Sequence, residues 1–369
     1  MNNNIWVEKY RPSKLENIVN QDEIKSFIIG AIKNKNIPHL LLYGPPGTGK
    51  TTVINILCKS LFTYSKIDYP NTFELFEENN KLRTNRILNL NASDERGIKI
   101  VREKIKYFAS LAISQSHNNK IPNFKVIILD EADSMSCESQ YALRRIIEKY
   151  STSTRFILIC NYITKIIPQI ASRCFKFKFL PITYEASKII INNILEKEEL
   201  VNQLNNEIYE YIYNCTSGDM RKTIMLLQKI SYVYSNISLK EITLEHIKRI
   251  FNELPADIFN SLIDVLKNKL TIDNQKKIFK YATFCISKAY NISRIINNLF
   301  MYFLKDNTIN TTHKYKIINL LSMIDNKLNG GGIEFIHLCD LLITLNCLLN
   351  GVSYDITTNP YTIKYTITK

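Results

Sequence analysis

Residues 40–52 read LLLYGPPGTGKTT, and residues 44–51 fit the pattern G-x-x-x-x-G-K-[ST]. An apolar run precedes the pattern, and residues 53–57 continue after it with helical spacing. Glycines let the backbone curl so that successive N–H groups point inward at a polyphosphate. The helix that begins near Lys50 directs its positive dipole end at the same phosphates. The sequence therefore predicts a phosphate-binding loop, here called the P-loop, between a buried strand and a helix.

Two side chains of the P-loop have specific expected contacts. Lys50 can reach the outer phosphates as a point charge, and Thr51 offers a hydroxyl to Mg²⁺. A Gly- and Pro-rich turn that binds nothing is the alternative, and the strand–loop–helix context argues against it. The residues expected to bind nucleotide here are Gly44, Pro45, Pro46, Gly47, Thr48, Gly49, Lys50, Thr51 and Thr52.

The composition indicates a large protein with a basic surplus. Its 369 residues suffice for two or three domains, and 48 Lys and Arg against 34 Asp and Glu leave a net charge of +14. That surplus favours a polyanionic partner such as nucleic acid, and diffuse solvating charge is the alternative. No apolar run approaches the roughly 18 residues of a membrane-spanning helix, so no membrane partner is expected.

Apolar strands alternate with helical segments through the first half of the chain. This alternation predicts an α/β domain with a mostly parallel sheet, right-handed crossovers and both faces covered. Residues 62–84 carry no clear period and are interpreted as a surface insertion. Besides the strand before the P-loop, the predicted strands are residues 86–91, 125–129, 155–160 and 175–179, the last alternating as an edge strand does.

The second half of the chain is helical in pattern. Helical spacing runs from Tyr184 to about Phe251 and again from Pro255 to about Gly351. Residues 330–332, all glycine, are the one strong break. Residues 352–369 are rich in Thr and Tyr and are either a short strand or disordered.

Acidic and amide side chains follow two of the predicted strands. Asp130 ends a strand that we expect beside the P-loop strand, where it can hold Mg²⁺. Glu131 can polarise an attacking water, as hydrolysis of a nucleotide requires. Asn161 ends the neighbouring strand at the same sheet edge, where its amide can contact the γ-phosphate or that water. A helix cap for the acidic pair and a turn for Asn161 are the alternatives.

A basic stripe follows one face of the helix predicted over residues 98–112. Lys99, Arg102 and Lys106 recur at i, i+3 and i+7. Such a stripe can follow a phosphate backbone, and DNA contact is therefore predicted for these residues. A solvent-facing stripe that Glu103 partly balances is the alternative.

Short motifs accompany the P-loop along the chain: WVEKYRP (6–12), LNASDERG (90–97), LDEADSM (129–135), ICNY (159–162), ASRC (171–174) and GDMR (218–221). Together they closely resemble the small subunits of replication factor C, the eukaryotic sliding-clamp loader of the AAA+ class. Residues 101–106 and 154–156 strengthen the resemblance and point to the ATP-hydrolysing small subunits.

The resemblance implies a domain order and a set of partners. A RecA-like AAA+ domain is expected over residues 1–181, a small helical lid over 182–251 and an all-helical collar over 252–351. Five subunits of such a complex form a ring through their collars, with ATP and Mg²⁺ at subunit interfaces. The implied partners are the other replication factor C subunits, the sliding clamp and primer–template DNA, and the implied location is the nucleus.

Roles are implied for individual residues where the motifs match. Val7 and Arg11 match the segment that contacts the nucleotide base and phosphates, and Asn161 matches the sensor at the γ-phosphate. Arg221 matches the second sensor, which lies on the lid. Arg173 matches the arginine finger, which acts on the neighbouring subunit's ATP. With Lys50, Asp130, Glu131 and Asn161, Arg173 completes the expected catalytic set.

Two rival functions remain open from the sequence. One is a structural subunit that binds ATP without hydrolysing it, and Glu131 and Asn161 argue against it because such a subunit has no chemical need for them. The other is a different AAA+ machine, such as a branch-migration motor. Residues 172–174 and 91–97 argue against the motor because they match the clamp-loader motifs.

Overall fold

The computed structural model describes residues 5–64, 72–92, 98–113, 121–198, 200, 204–233 and 242–351, and only the backbone of 72–75 and 98–102. The chain divides into two compact units, Met1–Ile242 and Thr243–Lys369. Strands and helices alternate in the first unit up to residue 178. Its elements are α1 (Trp6–Lys9), α2 (Asp22–Asn34), β1 (Leu40–Tyr43), α3 (Lys50–Leu61), α4 (Thr72–Arg86), β2 (Ile87–Asn91), α5 (Ile98–Ser110), β3 (Lys125–Asp130), α6 (Cys137–Tyr150), β4 (Thr154–Cys160), α7 (Pro168–Ala171), β5 (Phe175–Lys178), α8 (Tyr184–Lys197), α9 (Asn206–Thr216) and α10 (Met220–Val233).

The strands form one five-stranded sheet in the order β2-β3-β4-β1-β5. Every neighbouring pair is parallel. The predicted parallel α/β fold is therefore confirmed, and β5 is the edge strand that its alternating sequence predicts.

The order of the strands corrects one expectation. We expected Asp130 to end a strand directly beside the P-loop strand, and this was wrong because β4 lies between β3 and β1. A strand that is buried on both faces reads as a continuous apolar run wherever it lies in a parallel sheet. The sequence therefore shows which segments are central strands but not which of them are neighbours.

Both faces of the central strands are buried, as the alternation of strands and helices predicts. Leu40 and Leu42 of β1 pack on one face in a core that α2 and α3 complete. Leu41 packs on the opposite face, in a core that α5 and α6 complete. All three leucines are fully buried, so β1 is held rigidly at the centre of the domain.

Helix α4 covers most of the segment that was interpreted as a surface insertion. Leu82 packs against the core, and polar contacts complete the attachment of α4, among them the one in which Asn79 Oδ1 accepts from the Tyr64 N–H at 2.6 Å. Arg83 donates through Nε to the Phe62 carbonyl at 3.3 Å and through Nη2 to Thr63 Oγ1 at 2.8 Å. Such contacts leave no apolar stripe in the sequence, and the helical period is therefore missing.

Helices follow in the rest of the chain, as their spacing predicts. Helices α8, α9 and α10 complete the first unit. The glycine run 330–332 separates the last two helices of the second unit, and residues 352–369 lie outside the described residues. The limits of the predicted lid and collar stay predictions. The second unit contains α11 (Leu244–Ile250), α12 (Ala256–Lys267), α13 (Ile272–Ser287), α14 (Ile292–Lys305), α15 (Thr311–Asn329) and α16 (Glu334–Leu349).

The second unit has an apolar core of its own, which includes Leu266, Ile278, Leu299, Ile317 and Leu345. Within the described ranges, no helix combines the length and the apolar character that crossing a membrane would demand.

Candidate nucleotide-hydrolysis site

The P-loop leaves the carboxyl end of β1 and ends at the first turn of α3. Two of its glycines approach other backbone and side-chain atoms closely. A Cβ on Gly44 would lie 2.2 Å from the Phe179 carbonyl oxygen, and one on Gly47 would lie 1.8 Å from Asp219 Oδ1. Both residues also have positive φ, +145° and +70°, which side-chain-bearing residues rarely adopt. The loop can therefore take this path only with glycine at these positions.

Lys50 is the first residue of α3, and its ammonium is drawn into the loop. The side chain is only 7% exposed. Lys50 Nζ donates to the Gly44 and Pro45 carbonyls at 2.7 and 2.8 Å and to Asn161 Oδ1 at 3.0 Å. Burial lowers the pKa of Lys50, and the nearby carboxylate of Asp130 partly opposes that shift. The structure thus joins two predicted site residues, Lys50 and Asn161, directly.

Thr51 and Asp130 meet even though their strands are not neighbours. Thr51 Oγ1 donates to Asp130 Oδ2 at 2.8 Å, and Asp130 Oδ1 accepts from the Glu131 N–H at 2.9 Å. The first turn of α3 and the end of β3 come together across the carboxyl edge of β4. A hydroxyl oxygen beside a carboxylate is the set of hard oxygen donors that Mg²⁺ prefers, so these two residues fit the metal that the sequence predicts.

Glu131 has an unusual backbone conformation and an exposed side chain. Its φ of +54° and ψ of 38° lie in the left-handed region, which costs a non-glycine residue about 1–2 kcal/mol. The turn that follows compensates, because Ser134 donates to the Glu131 carbonyl through its N–H at 2.9 Å and through Oγ at 2.7 Å. Strain of this kind is concentrated at functional positions.

Asp133 is a site residue to which the sequence analysis assigned no role. Its Oδ2 accepts from the backbone N–H groups of Asn161 and Tyr162, both at 3.2 Å. These bonds hold the end of β4 against the turn after β3 and so fix Asn161 beside Lys50. The sequence signal for Asp133 is that it is a third acidic residue close to Asp130 and Glu131. Its hydrogen-bond partners, Asn161 and Tyr162, are distant in the sequence.

The start of α10 contacts the P-loop and positions Arg221. Asp219 is 8% exposed, and its Oδ1 accepts from the N–H groups of Arg221 and Lys222 at 3.0 and 3.2 Å. The Met220 N–H donates to the Gly47 carbonyl at 3.3 Å. The exposed Arg221 guanidinium is near enough to contribute to the lowered pKa of Lys50. Arg221 is therefore brought to the P-loop, and the sequence analysis missed the anchoring role of Asp219.

The N-terminal segment is fixed to the same group of helices. Trp6 is 6% exposed, and its backbone N–H donates to Gln228 Oε1 on α10 at 3.1 Å. Lys9 Nζ pairs with Glu198 Oε1 at 2.6 Å. Val7 is half-buried in this segment, and Arg11 Nη1 lies 3.1 Å from Glu8 Oε2. The structure thus places Val7 on α1, which packs against α10, and Arg11 just after the end of that helix.

Arg173 lies near the amino ends of the strands (the amino edge of the sheet), whereas the P-loop lies at their carboxyl ends (the carboxyl edge). Phe175, two residues after it, pairs with Leu40 at the amino end of β1, whereas the P-loop follows Tyr43 at the carboxyl end. The strand advances about 10 Å between those ends at its usual rise. Arg173 Nη2 instead lies 2.6 Å from Glu148 Oε1. The structure therefore does not bring Arg173 to the site that Lys50 occupies.

One residue of the predicted DNA-binding stripe has a described side chain. Lys106 is exposed on α5, whose opposite face buries Ile105 and Ala109. The side chains of Lys99 and Arg102 lie outside the described residues. Buried Lys125 fixes the end of this helix by donating to the Phe108 and Leu111 carbonyls, both at 2.5 Å.

This sheet, its P-loop and the acidic turn beside it define a P-loop ATPase of the AAA class. The model of the ATPase family associated with various cellular activities (AAA) matches residues 40–182. The model of the replication factor C C-terminal domain matches residues 254–344. A solved structure of a Thermotoga maritima RuvB variant superposes with a TM-score of 0.50 at 16% identity, covering 76% of this chain and 89% of that one. That likeness shows the fold.

Relatives over nearly the whole length identify the family. The chain is 38% identical to replication factor C subunit 2 of Saccharomyces cerevisiae, with 93% of each chain covered. It is 35% identical to replication factor C subunit 4 of Homo sapiens, with 92% of this chain and 87% of that one covered. It is 36% identical to putative replication factor C small subunit L510 of Acanthamoeba polyphaga mimivirus, with 92% and 96% covered. The chain belongs to the replication factor C small-subunit family.

Family membership confirms the resemblance in the sequence motifs. The chain is a nucleotide-binding ATPase that acts in DNA replication as a clamp-loader subunit, within a complex of several replication factor C subunits.

Proposed function

We propose that this subunit hydrolyses ATP with Mg²⁺ to open a sliding clamp and place it on primer–template DNA. It acts as one of five subunits, in the nucleus. ATP binding favours the assembled spiral that opens the clamp and grips DNA, and hydrolysis releases the clamp. The observation that carries the proposal is the direct contact of Lys50 with Asn161 and of Thr51 with Asp130, at 3.0 and 2.8 Å.

The P-loop and α3 bind the substrate phosphates in this proposal. The ammonium of Lys50 exchanges its carbonyl acceptors for β- and γ-phosphate oxygens, which are stronger acceptors because they are charged. Thr51 and Asp130 hold Mg²⁺, whose charge neutralises that of the phosphates. Arg221 adds a second cation from α10, and Val7 and Arg11 contact the base and phosphates from the N-terminal segment.

Hydrolysis depends on groups at the ends of β3 and β4. Glu131 accepts a proton from the attacking water, and its exposed carboxylate is free to reach that water. Asn161, held by Lys50 and Asp133, orients the water or contacts the γ-phosphate. Phosphoryl transfer needs chiefly positioning and charge stabilisation, and the bonds that link these residues supply positioning.

Arg173 serves the neighbouring subunit's nucleotide. The arrangement of the sheet supports this role, because Arg173 lies at the amino edge and its own P-loop lies at the carboxyl edge. A guanidinium supplied in trans can accelerate phosphoryl transfer by about 10³–10⁵-fold. The site of each subunit is then complete only in the assembled ring.

Helix α5 contacts DNA in the proposal. Lys106 is exposed, and Lys99 and Arg102 share its predicted face of the helix. The net charge of +14 favours such a polyanionic partner.

The test is to copurify the complex and measure its mass and its ATPase rate. The proposal predicts a heteropentamer whose turnover rises when sliding clamp and primer–template DNA are added together. A homohexamer, or turnover that ignores both additions, would contradict it. A complex that binds ATP but never turns it over would support the purely structural role.

A further inference from the structure

The guanidinium of Arg173 is held by two acceptors on two different elements. Its Nη2 lies 2.6 Å from Glu148 Oε1 on α6, and its Nη1 donates to the Gln169 carbonyl on α7 at 2.6 Å. The side chain nevertheless remains 35% exposed. A guanidinium has five N–H donors, so it can keep both contacts while it donates to a further acceptor.

Glu148 is itself held in place before it meets Arg173. Arg144, one turn earlier on α6, donates through Nε to the same Oε1 at 3.0 Å. The hydrogen bond from Arg144, more than the charge of Arg173, lowers the pKa of the Glu148 carboxyl below its usual range. The carboxylate is therefore charged at neutral pH and fixed by two arginines.

The contribution of this cluster to folding is small, because its members are exposed. The Glu148 side chain is 40% exposed, and ion pairs at such exposed positions contribute little to stability because water and salt screen them. The effect on orientation is larger, since a free arginine side chain loses much rotamer entropy when it docks. Contacts that restrict Arg173 beforehand reduce that cost at the moment of engagement.

We propose that Glu148 is a positioning residue, which orients Arg173 toward the nucleotide of the neighbouring subunit. The inference rests on the proposed role of Arg173 in trans. Glu148 does not touch that nucleotide and acts only through the guanidinium. A misplaced catalytic group can lower a rate by as much as about 10²-fold, so an exposed ion pair can matter for catalysis while it matters little for stability.

The test compares Glu148→Ala, Glu148→Gln and Arg173→Ala in the reconstituted complex with clamp and DNA. Glu148→Ala should lower kcat roughly tenfold and leave the KM for ATP unchanged, because the guanidinium acts in the transition state. Glu148→Gln keeps an oxygen acceptor and should recover part of the rate. The Glu148→Ala/Arg173→Ala double variant should be no slower than Arg173→Ala alone. Glu138→Ala, at an exposed glutamate of the same helix, is the control and should match the wild type.

The outcomes separate this inference from the proposed function. If Arg173→Ala itself leaves turnover unchanged, the role of Arg173 in trans is wrong. If Arg173→Ala is slow but Glu148→Ala turns over at the wild-type rate or faster, Glu148 does not position the guanidinium and the inference is overturned. A fall in the thermal midpoint of Glu148→Ala that tracks its loss of rate, without recovery in Glu148→Gln, would assign Glu148 a structural role and also overturn it.

Discussion

The carboxyl edge and the amino edge of the five-stranded sheet, where its strands end and begin, hold their charged groups in different ways. At the carboxyl edge, Lys50 is 7% exposed and donates to two loop carbonyls and Asn161. At the amino edge, Arg173 is 35% exposed and is held by Glu148 and the Gln169 carbonyl. The carboxyl edge brings several charged and polar groups into mutual contact, whereas the amino edge leaves the Arg173 guanidinium partly exposed. In the proposed function, a single chain therefore carries most of one site and a small, separate part of a neighbour's.

The largest expected effect comes from removing the cation at the carboxyl edge. Lys50→Ala deletes a charge-assisted contact to the phosphates, and a hydrogen bond to a charged group contributes about 1.5–3 kcal/mol. ATP affinity should therefore fall roughly 10- to 100-fold, and turnover at this site should be lost. Titration calorimetry with the purified complex measures the affinity. Lys59→Ala, at the exposed far end of α3, is the matched control, and equal affinity in both variants would refute the P-loop assignment.

A loss of hydrolysis without a loss of binding is expected from Glu131→Gln. The change removes the proton acceptor but keeps the shape of the side chain, so turnover at this site should fall about 10²–10⁴-fold. ATP affinity should stay within a few-fold of the wild type. Single-turnover kinetics and nucleotide binding, with Glu138→Gln as control, separate the two effects. Unchanged turnover at this site would exclude Glu131 as the base.

A smaller effect is expected from the residue that holds Asn161 in place. Asp133→Ala removes the acceptor for the Asn161 and Tyr162 N–H groups. Asn161 should then lose its fixed position, and kcat should fall roughly tenfold with little change in ATP affinity. Asp133→Asn keeps a side-chain oxygen and should retain more of the rate. Equal rates for the two variants and the wild type would show that this contact does not position Asn161.

The smallest effect is expected from the basic residues of helix α5, which belong to neither the carboxyl nor the amino edge of the sheet. The combined change of Lys99, Arg102 and Lys106 to Ala should weaken DNA binding and flatten its salt dependence. The slope of log K against log salt should decrease by about one for each phosphate that the protein no longer neutralises. A triple variant at the exposed Lys14, Lys33 and Lys59 removes the same charge elsewhere and should keep the slope. Equal slopes in the two triple variants would identify the α5 stripe as solvent-facing.

The sequence predicts the local parts of this account well. The P-loop, the acidic pair at 130–131 and the parallel sheet all follow from residues that are contiguous or regularly spaced. A phosphate-binding loop is built from its own backbone, so its motif is visible without any knowledge of distant contacts. The contact between Lys50 and Asn161 follows less directly, because it also requires β4 to lie beside β1.

The parts that the sequence did not predict depend on long-range pairing. The position of β4 between β3 and β1 is invisible in three equally apolar strands. Asp133 accepts from the backbone of Asn161, and Asp219 lies against the P-loop at Gly47. Neither contact can be read from the residues next to each aspartate in the sequence. Helix α4 was missed since a single described apolar residue, Leu82, and several polar contacts attach it, which leaves no apolar stripe. In each case the deciding contact joins segments that are separate in sequence.

The central claim is that Arg173 acts on a neighbour's site and not on its own. The deciding measurement combines Arg173→Ala with a neighbouring subunit whose own P-loop lysine is changed to Ala. Stimulated ATPase turnover is then compared for each change alone and for both together. If Arg173 serves only that neighbour, the two changes should cost no more together than the disabled neighbour alone, because they affect one active site. Fully additive losses would show that Arg173 acts elsewhere and would contradict this account.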